Sequence, residues 1–149
     1  MNVAVIGGNS MVGKHLKEIA PDWLYLRRGV GYGSLDEGEN SVRDLSYTLT
    51  QNKIDYVVNL AALVGGIEDN NARKYDYLIQ NTRINDAVLT SIRHADITKY
   101  LTVLSTCIYP DNLPPEAYPI TEDKIHLGPP HPTNFGYAYA KRWVAAAID

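Results

Sequence analysis

"NVAVIGGNSMVGKHLKEIA", residues 2–20, decides the fold. A short β-branched run, "NVAVI" (2–6), ends at the pair Gly7-Gly8. Beyond it, apolar residues recur at 12, 16 and 19, the spacing of a helix face, and Pro21 stops the run. A buried strand, a glycine turn and a helix in that order form the opening unit of an α/β sheet. The turn places backbone amides at the positive end of a helix, where a phosphate can bind.

The same alternation continues along the chain. "WLYLRR" (23–28), "IDYVVNLAA" (54–62) and "KYLTVLS" (99–105) read as further strands, apolar on both faces, with a weak one near 40–44. Residues 45–53 are a short helix candidate, 72–95 a long one and 134–148 a last one, while 29–40 reads as a glycine-rich loop. Residues 108–133 hold seven of the eight prolines and are expected to be mostly loop. Strands alternating with helices predict a Rossmann-like, doubly wound parallel sheet, with residues 1–149 as one nucleotide-binding domain.

Composition excludes several classes. Net charge is −3 with mixed signs, so no footprint for nucleic acid is expected. The longest mostly apolar stretch, 56–67, is too short to span a bilayer and carries Asn59. One cysteine allows no internal disulfide and suits a reducing, cytoplasmic setting. No metal site is assigned.

Three stretches carry chemistry. Gly7, Ser10 and Gly13 are spaced as in a phosphate-binding turn, with serine at the middle glycine. A Cβ there would crowd the phosphates, or its hydroxyl would donate to them. Arg27 and Arg28 stand about twenty residues past the first glycine, where an NAD site usually places an acid. Cations there favour a 2′-phosphate and hence NADP(H); solvated surface arginines are the plainer alternative. "YAYAK" sets Tyr137 and Lys141 four apart, on one face of a helix. An ammonium beside a phenol is expected to lower its pKa, so that the tyrosine can exchange a proton with a carbonyl oxygen. Ser105, ending a parallel strand, is placed to bond the same carbonyl. With 11 tyrosines a chance Tyr-x-x-x-Lys match is easy, so the weight rests on the chain order of turn, serine and pair. Cys107 lies two residues past Ser105, on its side if the extended backbone continues. A lone cysteine is otherwise a small buried apolar group.

The whole chain resembles the N-terminal half of extended short-chain dehydrogenases/reductases of the epimerase/dehydratase type. "NLAALVGGIEDNN" (59–71), "LIQNTRIN" (78–85), "STCIYP" (105–110) and "PTNFGYAYAK" (132–141) resemble the branch that epimerises and reduces GDP-4-keto-6-deoxymannose. The resemblance implies that Ser105, Tyr137 and Lys141 form a reductase triad and that Cys107 moves protons in epimerisation. It implies NADP contacts from Gly7, Gly8, Asn9, Ser10, Met11, Val12, Gly13, Ala61, Ala62, Val103, Leu104, Ser105, Thr106 and Lys141. It further implies a GDP-sugar substrate and a sheet truncated before its last strands and substrate domain. A homodimer, or pairing with a separate C-terminal half, follows from the same resemblance. His126 and His131, in the proline-rich loop, are expected to be exposed and not to replace a histidine of the missing half. Another sugar-nucleotide epimerase or reductase, or a non-catalytic NADP-binding module, remains the alternative.

Overall fold

A computed structural model describes residues 1–28, 31–32, 34–35 and 38–148, without the side chains of 28, 31 and 32. Two compact units make up the chain. The first comprises Met1–Ala62 with Arg83–Val103, the second Leu63–Thr82 with Leu104–Asp149.

The first unit is built on five parallel strands: β1 (Val3–Ile6), β2 (Leu24–Arg28), β3 (Gly31–Tyr32), β4 (Tyr56–Asn59) and β5 (Lys99–Thr102). Their order is β3-β2-β1-β4-β5, and β1 pairs both β2 (Ala4 with Leu24) and β4 (Val5 with Val58). This is the first part of the doubly wound order, as the alternating pattern predicts. All four residues of β1 are buried, because a central parallel strand is covered on both faces.

Helix α1 (Met11–Ile19) follows the glycine turn, and α2 (Glu39–Gln51) follows β3. Ser41, Leu45 and Leu49 of α2 point inward at four-residue spacing, and the two leucines join Ile6, Leu26 and Val57 in the core. The expected weak strand at 40–44 is therefore helical, and the helix begins six residues before the predicted Leu45. Its start has only the acidic Glu39 as a signal: the N-cap is Gly38, at φ +73°, with no capping side chain. Within the segment read as loop, Gly31–Tyr32 adds the outer strand on β2.

In the second unit, the helix expected over 72–95 is two: α3 (Ile67–Ala72) and α4 (Lys74–His94), separated at Arg73. The end of α4, from Arg83, packs within the first unit. The proline-rich stretch contains only single 3-10 turns, as at Pro115–Ala117 and Glu122–Lys124. Helix α5 (Phe135–Ile148) buries Ala138, Ala140, Lys141, Arg142 and Val144. Gly136 is needed on it, because a Cβ there would overlap the Lys74 carbonyl oxygen at the start of α4. Among the described residues no helix is long and apolar enough to cross a membrane.

β5 ends the sheet, and Leu101 on it is 57% exposed, whereas Leu45 is fully buried. Leu45→Ala is expected to cost about 2–5 kcal/mol in urea unfolding. Leu101→Ala is expected to stay within about 0.5 kcal/mol of wild type. Equal losses would mean that Leu101 is covered in solution.

Candidate active site

Each unit carries one cavity lined by residues singled out in the sequence. In the first unit the cavity, about 320 Å³, is lined by Gly7, Asn9, Ser10, Arg27, Ala61 and Ala62, together with Leu35, Leu60 and Ile84. Gly7 sits at φ +85°, and a Cβ on it would lie 2.9 Å from the Ala61 nitrogen. A Cβ on Gly13 would lie 2.8 Å from the Gly8 carbonyl oxygen, so α1 starts in backbone contact with the turn. Side chains are excluded from this cradle on both counts.

The amides of Gly7 and Gly8 donate to the Leu26 carbonyl at 3.1 and 2.9 Å, which ties the turn to β2. Met11 and Val12 open α1, and their first-turn amides have no partner within a helix. Ser10 is the N-cap: its Oγ accepts from the Gly13 amide at 3.0 Å, and its backbone is extended at φ −64°, ψ 164°. The serine at the middle glycine position is thus unstrained, and its hydroxyl proton is left over for an anion. Asn9 is exposed, Gly8 and Gly13 are buried, and Met11 and Val12 are exposed without lining the cavity. Arg27 is exposed at the cavity's edge; the Arg28 side chain lies outside the described residues. Val103 is 49% exposed beyond β5 and does not line the cavity.

In the second unit a cavity of about 350 Å³ is lined by Ser105, Thr106, Cys107 and Tyr137, with Val64, Gly65, Asn70 and Asn134. Leu104 precedes it and is half-buried. The strand predicted to reach Ser105 stops at Thr102, and Ser105 caps a 3-10 turn, Thr106–Ile108. The extended backbone that was to put Cys107 on the side of Ser105 does not continue. The tight turn brings both to one cavity instead, with Ser105 Oγ accepting from the Cys107 amide at 3.4 Å. Arg142, buried on α5, donates from Nε to the Ile108 carbonyl at 2.6 Å and so pins this turn to the tyrosine helix.

Lys141 is 3% exposed, and its Nζ lies 5.8 Å from the centre of the Tyr137 ring. Burial holds the lysine below its usual range, and a negative Cys107 opposes that shift. Tyr137 is shifted upward, first by burial and then by the charge of Cys107. The expected lowering of its pKa by lysine is therefore corrected. Desolvation of the phenolate prevails where the ammonium lies over the ring. Tyr137 holds its proton at neutral pH. His126 and His131 are exposed, as expected, and His131 bonds Thr133.

Sequence reasoning missed Leu35, Leu60 and Ile84 in the first cavity, and Val64, Gly65, Asn70 and Asn134 in the second. All of these but Leu35 lie within the stretches that carry the family resemblance, but no spacing rule marks them as lining. A larger groove of about 1,020 Å³, between α2 and α4, is lined by Val42, Arg43, Asp86 and Ala87 among others. It contains none of the chemically promising groups.

The fold and these two cavities define a dinucleotide-type α/β protein carrying a serine, cysteine, tyrosine and lysine set. The chain belongs to the NAD dependent epimerase/dehydratase family, whose sequence profile matches residues 3–148. It is 38% identical to the probable GDP-L-fucose synthase of Drosophila melanogaster, and 37% identical to the GDP-L-fucose synthase of Dictyostelium discoideum. Both alignments cover 95% of this chain and 44% of the relative. The chain thus spans less than half the length of these relatives. A solved GDP-L-fucose synthetase from Naegleria fowleri, bound to NADP, superposes with a TM-score of 0.80 at 32% identity. It matches over 97% of this chain and 45% of its own.

The buried lysine gives a stability test. Its folded pKa lies below the unfolded one, so in between the unfolded chain holds more protons and stability rises with pH. Urea midpoints are expected to rise for wild type as pH climbs toward 10.5, the ordinary value of the unfolded lysine. Lys141→Met should be more stable at pH 7, with a gain that shrinks as pH climbs. A pH-independent difference would mean that the ammonium is not strained by burial.

Proposed function

We propose that residues 1–149 form the NADP(H)-binding and proton-transfer part of an epimerase–reductase acting on GDP-4-keto-6-deoxymannose, a GDP-L-fucose synthase activity. One observation carries the reading: Ser105, Cys107 and Tyr137 line one cavity, in a chain whose relatives of that name match over 95% of it.

The glycine cradle fits a dinucleotide. Backbone that Cβ atoms would fill lies open to a pyrophosphate, with the Met11 and Val12 amides, the Ser10 hydroxyl and the Arg27 guanidinium as donors. NADPH, when bound, supplies the hydride that reduces C4. Arg27 would hold its 2′-phosphate, with Arg28 beside it in sequence.

The chain's own groups handle protons. A carbon next to a ketone is acidic, because the electron pair left behind moves onto the keto oxygen. Cys107 takes the proton from such a carbon, and a proton returned to the opposite face, from solvent or from the C-terminal half, inverts the centre. Tyr137, protonated at neutral pH, gives its proton to the C4 oxygen as that carbon is reduced. Lys141 steadies the phenolate left behind, and Ser105 orients the carbonyl. A cavity of about 350 Å³ suits the hexose and not a whole sugar nucleotide. The remaining surface is proposed to come from a C-terminal half, in the same chain or paired with it.

Two measurements test this. Arg27→Ala is expected to weaken NADPH binding about tenfold or more, in line with loss of a charge-assisted bond, while NADH binding hardly changes. Equal losses for both cofactors would remove the phosphate contact. In the full-length protein, Cys107→Ser should abolish exchange of the C3 and C5 protons with deuterated solvent and leave NADPH binding intact. Tyr137→Phe should keep exchange and lose reduction. Normal exchange in Cys107→Ser would return the thiol to a packing role.

A further inference from the structure

Residues 63–66 belong to no helix or strand, yet side chains hold their backbone at almost every step. Asn81 on α4 accepts from the Leu63 amide at 2.8 Å and donates to the Leu63 carbonyl at 3.1 Å. Asn70 on α3 donates from Nδ2 to the Gly65 carbonyl at 2.9 Å and to the Gly66 carbonyl at 3.0 Å. Tyr77 on α4 is buried, and its hydroxyl donates to the Asp69 carboxylate. It lies so close to Gly65 that a Cβ there would overlap the hydroxyl oxygen. Arg73 pairs with Asp69 at 3.4 Å and with Asp76 at 3.0 Å, which fixes the carboxylate in turn. Three side chains from two helices thus clamp this short segment.

Held in this way, Val64 stays 69% exposed while it lines the cavity with Ser105, Cys107 and Tyr137. Among the described residues that line this cavity, it has the only side chain made wholly of hydrocarbon. The others carry a hydroxyl, a thiol or an amide, and Gly65 has no side chain. An unrestrained loop would tuck a valine against its neighbours, because burial of apolar surface is favourable. The clamp keeps it out, and an apolar surface that is already rigid loses little entropy when a ligand covers it.

We propose that Val64 is a specificity-determining residue: it receives the C6 methyl group of the bound 6-deoxy hexose and disfavours a hydroxyl at C6. This rests on the GDP-hexose reading above. The 4-keto-6-deoxy ring carries oxygen at C1, C2, C3 and C4, so the methyl is its one apolar substituent. Ser105, Thr106, Asn134 and Tyr137 have groups that can bond those oxygens, whereas Val64 has none. A methyl against Val64 takes apolar surface of both partners out of water. A C6 hydroxyl in the same place would lose its water partners without replacement. Only C5 separates that methyl from the keto carbon, so seating it also limits how the ring can turn relative to Tyr137.

The test is a calorimetric titration of the native full-length protein, with NADP⁺ present. The ligands are GDP-mannose and GDP-6-deoxymannose, which differ only by the oxygen on C6. Wild type should bind GDP-6-deoxymannose about tenfold more tightly, the low end for one small group in an apolar contact. Val64→Thr keeps the size of the side chain and exchanges a methyl for a hydroxyl. It should bring the two affinities within about twofold of each other, mostly by weakening GDP-6-deoxymannose. Val64→Ile keeps the hydrocarbon surface and should retain the preference. Affinity for NADP⁺ should stay within about twofold in both variants, as expected for a residue that touches only the sugar.

Wild type without a preference for the 6-deoxy ligand would overturn the proposal. So would a preference that Val64→Thr leaves intact, since the methyl would then sit elsewhere. Equal weakening of both ligands, or a loss of NADP⁺ affinity in Val64→Thr, would overturn it as well. Val64 is exposed, so its replacements are expected to keep the wild-type urea midpoint within about 0.5 kcal/mol-equivalent of stability. Wild type that binds neither GDP-hexose removes the underlying reading too, whereas binding both alike removes this proposal alone.

Discussion

The hydrogen bond from Arg142 Nε to the Ile108 carbonyl holds the second unit's chemistry together. It joins a short turn to a helix 34 residues away, and both partners are buried. Ser105 and Cys107 come from that turn, Tyr137 and Lys141 from that helix. The proline-rich stretch between them is tied at its two ends by the Asp111 amide, which donates to the Pro129 carbonyl at 3.0 Å. Gly136 works in the same direction. It lets α5 lie against the backbone at Lys74, so the tyrosine helix is located by close backbone contact and not by a yielding side chain.

Polar side chains locate the loops as firmly as apolar ones locate the strands. Asn81 accepts from the Leu63 amide at 2.8 Å and donates to the Leu63 carbonyl at 3.1 Å, the pairing a neighbouring strand would make. In the first unit Asn59 ends β4, accepts from the Ala61 amide at 3.0 Å and donates to Asn85 and to the Tyr100 hydroxyl. The Ala61 backbone so fixed is the surface against which Gly7 must stay a glycine. Buried amides with full partner sets give unique geometry, since any misalignment strands a polar group away from water.

The electrostatics of the tyrosine–lysine pair also come from burial. Both groups shift toward their neutral forms, phenol upward and amine downward. A solvated pair at the same spacing would have pulled the phenol down through the ammonium's charge. Desolvation reverses the sign, and it makes Tyr137 an acid at rest.

The sequence by itself determined four of the sheet's strands and the glycine cradle. Residues 2–6 read as a buried strand, and the glycines after it leave room that no other residue would leave. The spacing of Tyr137 and Lys141 is likewise local, set by one helix. Helix α2 was legible only in part, because Gly38 offers no capping side chain and the glycine-rich stretch before it hides the two residues of β3. Tertiary structure decided what local rules could not reach. It ended β5 at Thr102 and folded Ser105–Ile108 into a turn, since Arg142 captures the Ile108 carbonyl from far along the chain. It also brought Asn70 to the cavity and left its oxygen unpaired. Which groups converge there depends on contacts between distant residues, and periodicity along the chain carries no record of them.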